Sequence, residues 1–178
     1  MEIHEQTLIL YIAISKDGFI ADENGNVDWL PQSKDDHELQ TVGYTDLMER
    51  TNRIVMGSRS YKQIVTFGDW AWSDKQTYVF SKQKIHSPLS CISITDKRPI
   101  EFMQTMHNQQ SQKDIWLLGG AALARSFAQF DLIDEIILTI VPQTLKTGIP
   151  LGLSFEKFKL VDEKALIDRM IQKMYVKN

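Results

Sequence analysis

Leu8 to Ile14 is an almost unbroken apolar run that stops at Ser15-Lys16-Asp17-Gly18, the pattern of a buried strand reaching a turn. A strand without a polar face belongs in the middle of a sheet, so this segment is expected to be a central strand. Polar residues and glycines then continue through Asn26. Val27-Asp28-Trp29-Leu30-Pro31 places a bulky pair at the end of a loop that can reach over a pocket. From Lys34 to Arg50, Leu39, Val42, Leu47 and Met48 recur among charges as on an amphipathic helix, with Gly43 interrupting it. Arg53 to Gly57 reads as a short buried strand entering a tight connection, and Ser58 is suited to cap a helix through Val65.

The alternation continues along the chain. Gln76 to Phe80 is a strand, and Cys91 to Ile94 is a weaker one after Pro88. A helix begins near Pro99, uses proline in its first turn, and runs to about Asn108 with Ile100, Met103 and Met106 on one side. Ile115 to Leu118 forms a strand ending at Gly119-Gly120, and Ala121 to Phe130 returns to helical spacing. Ile133 to Val141 is a long strand. Lys157 to Asp162 and Met170 to Val176 alternate more weakly, as solvent-facing antiparallel strands do. Short apolar strands alternating with helices predict one layered α/β domain with a mixed sheet, rather than a bundle or a sandwich.

Composition narrows the function classes. A chain of 178 residues is long enough for one domain that buries roughly 70% of its extended surface. Cys91 is the one cysteine, which excludes an internal disulfide and a cysteine-rich metal site. His4, His37, His86 and His107 are isolated in sequence, so no metal is expected. Twenty basic against 23 acidic side chains leave a net charge of -3, with no general attraction to nucleic acid or an anionic membrane. The apolar runs fall far short of the roughly 20 residues that cross a bilayer. Met1 to Gln6 has no basic run, so no secretory signal is expected and the cytoplasm is the expected compartment.

Two turns carry candidate chemistry. Gly57-Ser58-Arg59-Ser60 joins a glycine that permits close backbone approach, hydroxyl donors, and a guanidinium at a helix start, a combination that suits phosphate. Gly119-Gly120-Ala121-Ala122 offers the same opportunity at the end of another strand, where side chains in the glycine positions would block a pyrophosphate. Neither string is the full dinucleotide fingerprint or a lysine-containing triphosphate loop. The two gain meaning together if their strands are neighbours, because ligands of open α/β sheets bind in the crevice at the carboxyl ends. Ser81-Lys82 follows another strand and can meet an additional phosphate. Phe19 and Trp29 can bound an aromatic substrate, with Asp28 as a polar anchor and Tyr61 lining the cavity or supporting the phosphate-side helix.

The chain resembles the dihydrofolate reductase superfamily, in particular the bacterial branch related to the riboflavin-biosynthesis reductase domain. The resemblance spans nearly the whole chain. It rests on the opening strand with Asp17-Gly18-Phe19-Ile20, Asp28-Trp29-Leu30, Ile54 to Tyr61, Gly119-Gly120, and Asp134 to Leu151. It implies a three-layer dihydrofolate-reductase-like fold with a mainly parallel mixed sheet, and an NADPH crevice. By position it places Ala13 and Ile20 beside the nicotinamide and Gly57, Ser58, Arg59 and Ser60 at the first phosphate turn. Ser81 and Lys82 become an adenosine-phosphate contact, and Gly119, Gly120, Ala121 and Ala122 the pyrophosphate turn. The family commonly has arginine directly after the first glycine and threonine two positions later, where this chain has Ser58 and Ser60 around a shifted Arg59.

A nicotinamide delivers hydride without a metal, so the protein has only to align donor and acceptor and control solvent. In a folate reductase a carboxylate stands beside the pterin. Ser33 occupies that position here, and Asp35 and Asp36 follow as the candidate catalytic acids. The resulting expectation is an NADPH-dependent reductase of a small heterocyclic or carbonyl/imine-like substrate. True dihydrofolate reduction and a non-catalytic nucleotide sensor are the alternatives. A homodimer is also expected, using apolar residues of Ile133 to Val141 or Pro142 to Leu151, unless those residues fill the core.

Overall fold

A computed structural model describes residues 6–31, 43–109 and 111–178 of the chain. In chain order its elements are β1 (Leu8–Ser15), β2 (Phe19–Ala21), α1 (Tyr44–Arg50), β3 (Thr51–Gly57), α2 (Ser58–Ile64), β4 (Gln76–Phe80) and β5 (Ile92–Thr95). There follow α3 (Pro99–Asn108), β6 (Asp114–Gly119), α4 (Ala121–Ala128), β7 (Glu135–Val141), β8 (Ile149–Pro150), β9 (Phe158–Ala165) and β10 (Ile171–Lys177). Eight strands form one sheet in the order β5-β4-β3-β6-β1-β7-β10-β9, while β2 and β8 pair separately. The first six of that order are parallel, and β10 runs antiparallel to both its neighbours. The sheet is therefore mixed and mainly parallel.

Burial on both faces explains the unbroken apolar run of β1. Leu8 and Leu10 point to one side, where Phe102, Met103 and Met106 of α3 and Ala124 and Phe127 of α4 cover them. Ile9 points to the other side and meets Leu47 of α1, Tyr61 of α2 and Trp116. Phe102 anchors the first layer, with Tyr78 and Phe80 edge-on at 5.1 Å each. On the opposite face an aromatic series runs from Trp70 through Trp72 to Trp116, with centroid steps of 5.3 and 5.2 Å. Trp70 and Trp72 thus fasten the irregular segment before β4 onto the sheet.

Several expectations need correction. Gly57 is the N-cap of α2 and Ser58 its first residue, with no side-chain capping bond, because β3 runs straight into the helix through an extended Gly57. Gly43 begins α1 as its N-cap at φ 80°, a left-handed conformation open to glycine, so it starts this helix rather than interrupting it. The expected helical stretch before Gly43 lies outside the described residues. On α3 the buried stripe is Phe102, Met103 and Met106, whereas Ile100 is 37% exposed. At 3.6 residues per turn, Ile100 stands about 200° around the helix from Phe102 and misses the sheet. Ile133, Ile136, Ile137, Leu138 and Val141 are buried, so these apolar residues of the Ile133 to Val141 segment fill the core.

Ionic and polar fastenings gather where the parallel strands begin. Arg50, in the last turn of α1, donates to Asp114 at 2.9 Å and to Glu135 at 2.9 Å, tying the first residues of β6 and β7 together. Asp134 accepts from the Leu8 amide at 2.9 Å and from Lys177 at 3.0 Å. Lys75 is only 6% exposed, and its ammonium donates to the carbonyls of Met48 and Thr51 at 2.7 Å each, closing the carbonyl end of α1. Burial draws the pKa of Lys75 below its ordinary value, opposed by the nearby Asp74. No described helix is long and apolar enough to cross a membrane.

Replacing Lys75 with methionine removes the donor and strands two carbonyls. Denaturant unfolding of Lys75→Met should show a loss of about 2–4 kcal/mol, while exposed Lys82→Met should lie within about 0.5 kcal/mol of the parent.

Candidate active site

β3 and β6 are hydrogen-bonded parallel neighbours, with Met56 opposite Gly119. This register brings the carboxyl ends of both strands to one level, and each is followed by a helix that turns away from the edge. An ideal Cβ built on Gly57 would lie 3.9 Å from both the Gly119 carbonyl oxygen and the Gly120 nitrogen. The two glycine turns expected from the sequence therefore converge.

Between and above them opens a cleft of about 770 Å³. Ser58, Arg59 and Ser60 line it from α2, Gly120, Ala121 and Ala122 from α4, and Ala13 and Ile20 from β1 and β2. Gly57 and Gly120 have ordinary φ values of -78° and -70°, and a Cβ on Gly120 would meet nothing nearer than Ser60 Oγ at 3.5 Å. The protein's own packing does not require glycine at these two places. What their bareness preserves is a cradle that a Cβ would partly fill, which suits a ligand seated against the backbone. Gly119 differs: its φ of 117° needs glycine, and it sits buried behind the lining.

The cleft is electrostatically one-sided. Among its described lining residues there is no Asp or Glu, whereas Arg59 and Arg125 are present. Arg59 is exposed, with no ion-pair partner among the described residues. Arg125 spends one nitrogen on the carbonyls of Pro150 and Leu151, both at 3.1 Å, and so fixes the strand opposite β2. Among the described lining residues, an anion entering here meets positive charge alone.

Ser81 and Lys82 stand outside the lining. Ser81 Oγ accepts from the Gln83 amide at 3.0 Å, Lys82 is exposed, and both directly follow Phe80, which does line the cleft and lies beside Gly57. Tyr61 does not enter the cleft: it is 6% exposed and packs on Trp70 at 5.9 Å, because its side of α2 faces the sheet while Arg59, Ser60 and Gln63 face outward. Phe19 is paired with Pro150, Asp28 is exposed, and Trp29 is half-buried with no partner for its ring nitrogen among the described residues; none of the three lines the cleft. Asp35 and Asp36 lie outside the described residues.

The structure also adds lining residues that the sequence reading passed over. Gln63 is four residues after Arg59 and Arg125 four after Ala121, so helical spacing was a usable signal for both. Gln63 donates to the Gly25 carbonyl at 3.0 Å, linking α2 to the loop that contributes Val27 and Leu30. Tyr11 was hidden inside an apolar run.

Asp17 organises the neighbouring turn. It accepts from Ser15 Oγ at 2.7 Å and from the Leu145 and Lys146 amides at 3.1 and 2.8 Å, and these bonds hold its carboxyl pKa below the usual range. The segment after β7 is thereby pinned beside the β1–β2 turn.

The family model for the RibD C-terminal domain matches residues 6–164. The chain belongs to the RibD C-terminal domain family. The chain is 32% identical over 148 residues to the uncharacterized protein YwjB of Bacillus subtilis (strain 168), covering 83% of each chain. It is 29% identical over 191 residues to the uncharacterized protein YyaP of the same organism, covering 97% of this chain and 96% of that one. A putative riboflavin biosynthesis protein from Shewanella sp. PV-4 superposes with a TM-score of 0.84 at 27% identity, over 97% of this chain and 99% of that one. A Thermotoga maritima diaminohydroxyphosphoribosylaminopyrimidine deaminase/5-amino-6-(5-phosphoribosylamino)uracil reductase shares the fold, with a TM-score of 0.69 at 14% identity; the match covers 97% of this chain but 57% of that one. The fold is that of the dihydrofolate reductase-like superfamily, and the family is reductase-like.

Because the folded pKa of Asp17 is depressed, its stabilisation is present above the ordinary carboxylate pKa of about 4 and is lost as pH falls through the lower folded value. Amide exchange at Leu145 and Lys146, corrected for intrinsic rates, should therefore accelerate on acidification in the parent and be already fast in Asp17→Ala. Gly120→Ala should retain the parental melting temperature within about 4 °C in a thermal melt, because the added Cβ meets nothing nearer than Ser60 Oγ at 3.5 Å.

Proposed function

We propose that this protein is an NADPH-dependent reductase of a small heterocyclic or carbonyl/imine-like substrate. The observation that carries the reading is the convergence of two bare glycine turns beside Arg59, which has no ion-pair partner among the described residues, in a cleft without described carboxylates. The residues present fit a dinucleotide. Gly57, Ser58 and Ser60 would take one phosphate group, Gly120, Ala121 and Ala122 the pyrophosphate, and Ala13 and Ile20 would border the nicotinamide. When bound, the nicotinamide supplies hydride to an acceptor; every other task falls to the chain.

Those tasks are orientation and exclusion of water. Ser58 and Ser60 provide hydroxyl donors, and Arg59 a charge, that hold the anionic end. Ala13 and Ile20 give an apolar floor, and Val27, Leu30 and Ile64 shield the opposite end from solvent. The Gln63 link to Gly25 keeps the overhanging loop against α2. The reading extends to a homodimer, supported by the apolar side chains Leu160, Val161, Ile167 and Ile171 left exposed at the β9–β10 edge.

Titration of tryptophan fluorescence should show saturable NADPH binding. Arg59→Ala should weaken NADPH about tenfold or more and NADH by less, since a charge-assisted bond to an added phosphate is worth roughly 1.5–3 kcal/mol. Equal losses for both cofactors would remove the phosphate role from Arg59, and absence of binding to either would end the reading. Gel filtration over a concentration series should give about twice the 20.5 kDa chain mass; a persistent monomer would rule out the dimer.

A further inference from the structure

Tyr11 is two residues before Ala13 on β1, so the two share a face of the sheet at a spacing of about 6.6 Å. Ala13 pairs with Thr139 of β7, and Thr139 with Gln172 of β10, which sets the three side by side across that face. Gln172, 7% exposed, donates from Nε2 to Thr139 Oγ1 at 3.2 Å, and its carboxamide stands beside the Tyr11 phenol. The rings of Trp116 and Tyr44 bracket Tyr11 at 6.2 and 6.4 Å. The phenol is thus fixed by strand, amide and aromatic neighbours, and Tyr11 itself lines the cleft.

No described Asp, Glu, His, Lys or Cys lines that cleft, and the serines belong to its phosphate-side turns or to α4. Tyr11 is the one described lining residue near Ala13 with a proton to give. Burial raises its pKa above the ordinary 10, with the nearby Gln172 carboxamide opposing, so the proton is retained at neutral pH.

We propose that Tyr11 is the proton donor of the reduction, held in position by Gln172 and Thr139. The inference rests on the reductase reading. Tyr11 gives its phenolic proton to the nitrogen or oxygen that receives the electron pair of the substrate double bond, as the adjoining carbon gains hydride from the dihydronicotinamide. The C=N or C=O becomes a single bond, the cofactor leaves oxidised, and the phenolate regains its proton from water.

Two acceptors separate proton donation from packing. The neutral cyclic imine 3,4-dihydroisoquinoline, assayed above its own pKa, needs a proton; the N-methyl-3,4-dihydroisoquinolinium cation does not. With saturating NADPH, Tyr11→Phe should cut imine reduction about a hundredfold or more and change iminium reduction by less than about threefold. Gln172→Met should show a smaller loss with the same imine selectivity. In cofactor-free protein carrying ring-labelled 13C-tyrosine, the imine should shift the resonance that Tyr11→Phe deletes. Equal loss of both activities, or loss of neither, overturns the proposal. So does an unmoved Tyr11 resonance up to the solubility limit of the imine. Wild-type protein that binds NADPH but reduces neither acceptor defeats the proposal and leaves nucleotide binding intact, whereas failure to bind NADPH defeats the reductase reading itself.

Discussion

The parallel pairing of β3 with β6 is the constraint on which the site depends. Its register puts Met56 opposite Gly119, and so brings two turns separated by about sixty residues of sequence within van der Waals reach. A slip of one residue would reverse the facing of every side chain in the strand and separate the turns. Burial on both faces prevents that slip: Ile54, Val55 and Met56 are all fully buried. The geometry of a prospective phosphate cradle is therefore maintained by hydrophobic packing well below it.

The two ends of the parallel sheet do different work. Where the strands begin, Arg50 joins Asp114 and Glu135, Asp134 holds the Leu8 amide and Lys177, and Lys75 closes α1. Charges there are mutually satisfied. Where the strands end, Arg59 is left without a described partner and the glycines leave space vacant. A protein that needed only stability would gain from filling such a place, so its bareness points to a ligand.

Much of this was legible in the sequence because local signals agreed with tertiary ones. The apolar runs of β1, β3 and β6 are buried on both faces and needed no partner to be recognised, and Gly-Gly at a strand end marked the second turn. Other features depended on neighbours. Ile100 fits an apolar helix pattern but lies off the stripe that the sheet covers, and Gly43 reads as an interruption until its positive φ shows it to be a helix start. Tyr61 is adjacent in sequence to the first glycine turn, yet the helix directs it into the core. Tyr11 gave no local signal, because its relation to Gln172 arises from strands β1, β7 and β10 lying side by side across 161 residues of chain.

A crystal structure of the protein with NADP⁺ tests the central claim most directly. The account predicts the pyrophosphate between the Gly57 and Gly120 turns, with the nicotinamide ring against Ala13 and Ile20. A nucleotide bound on another face, or bound in this cleft with its phosphates away from both turns, would contradict it.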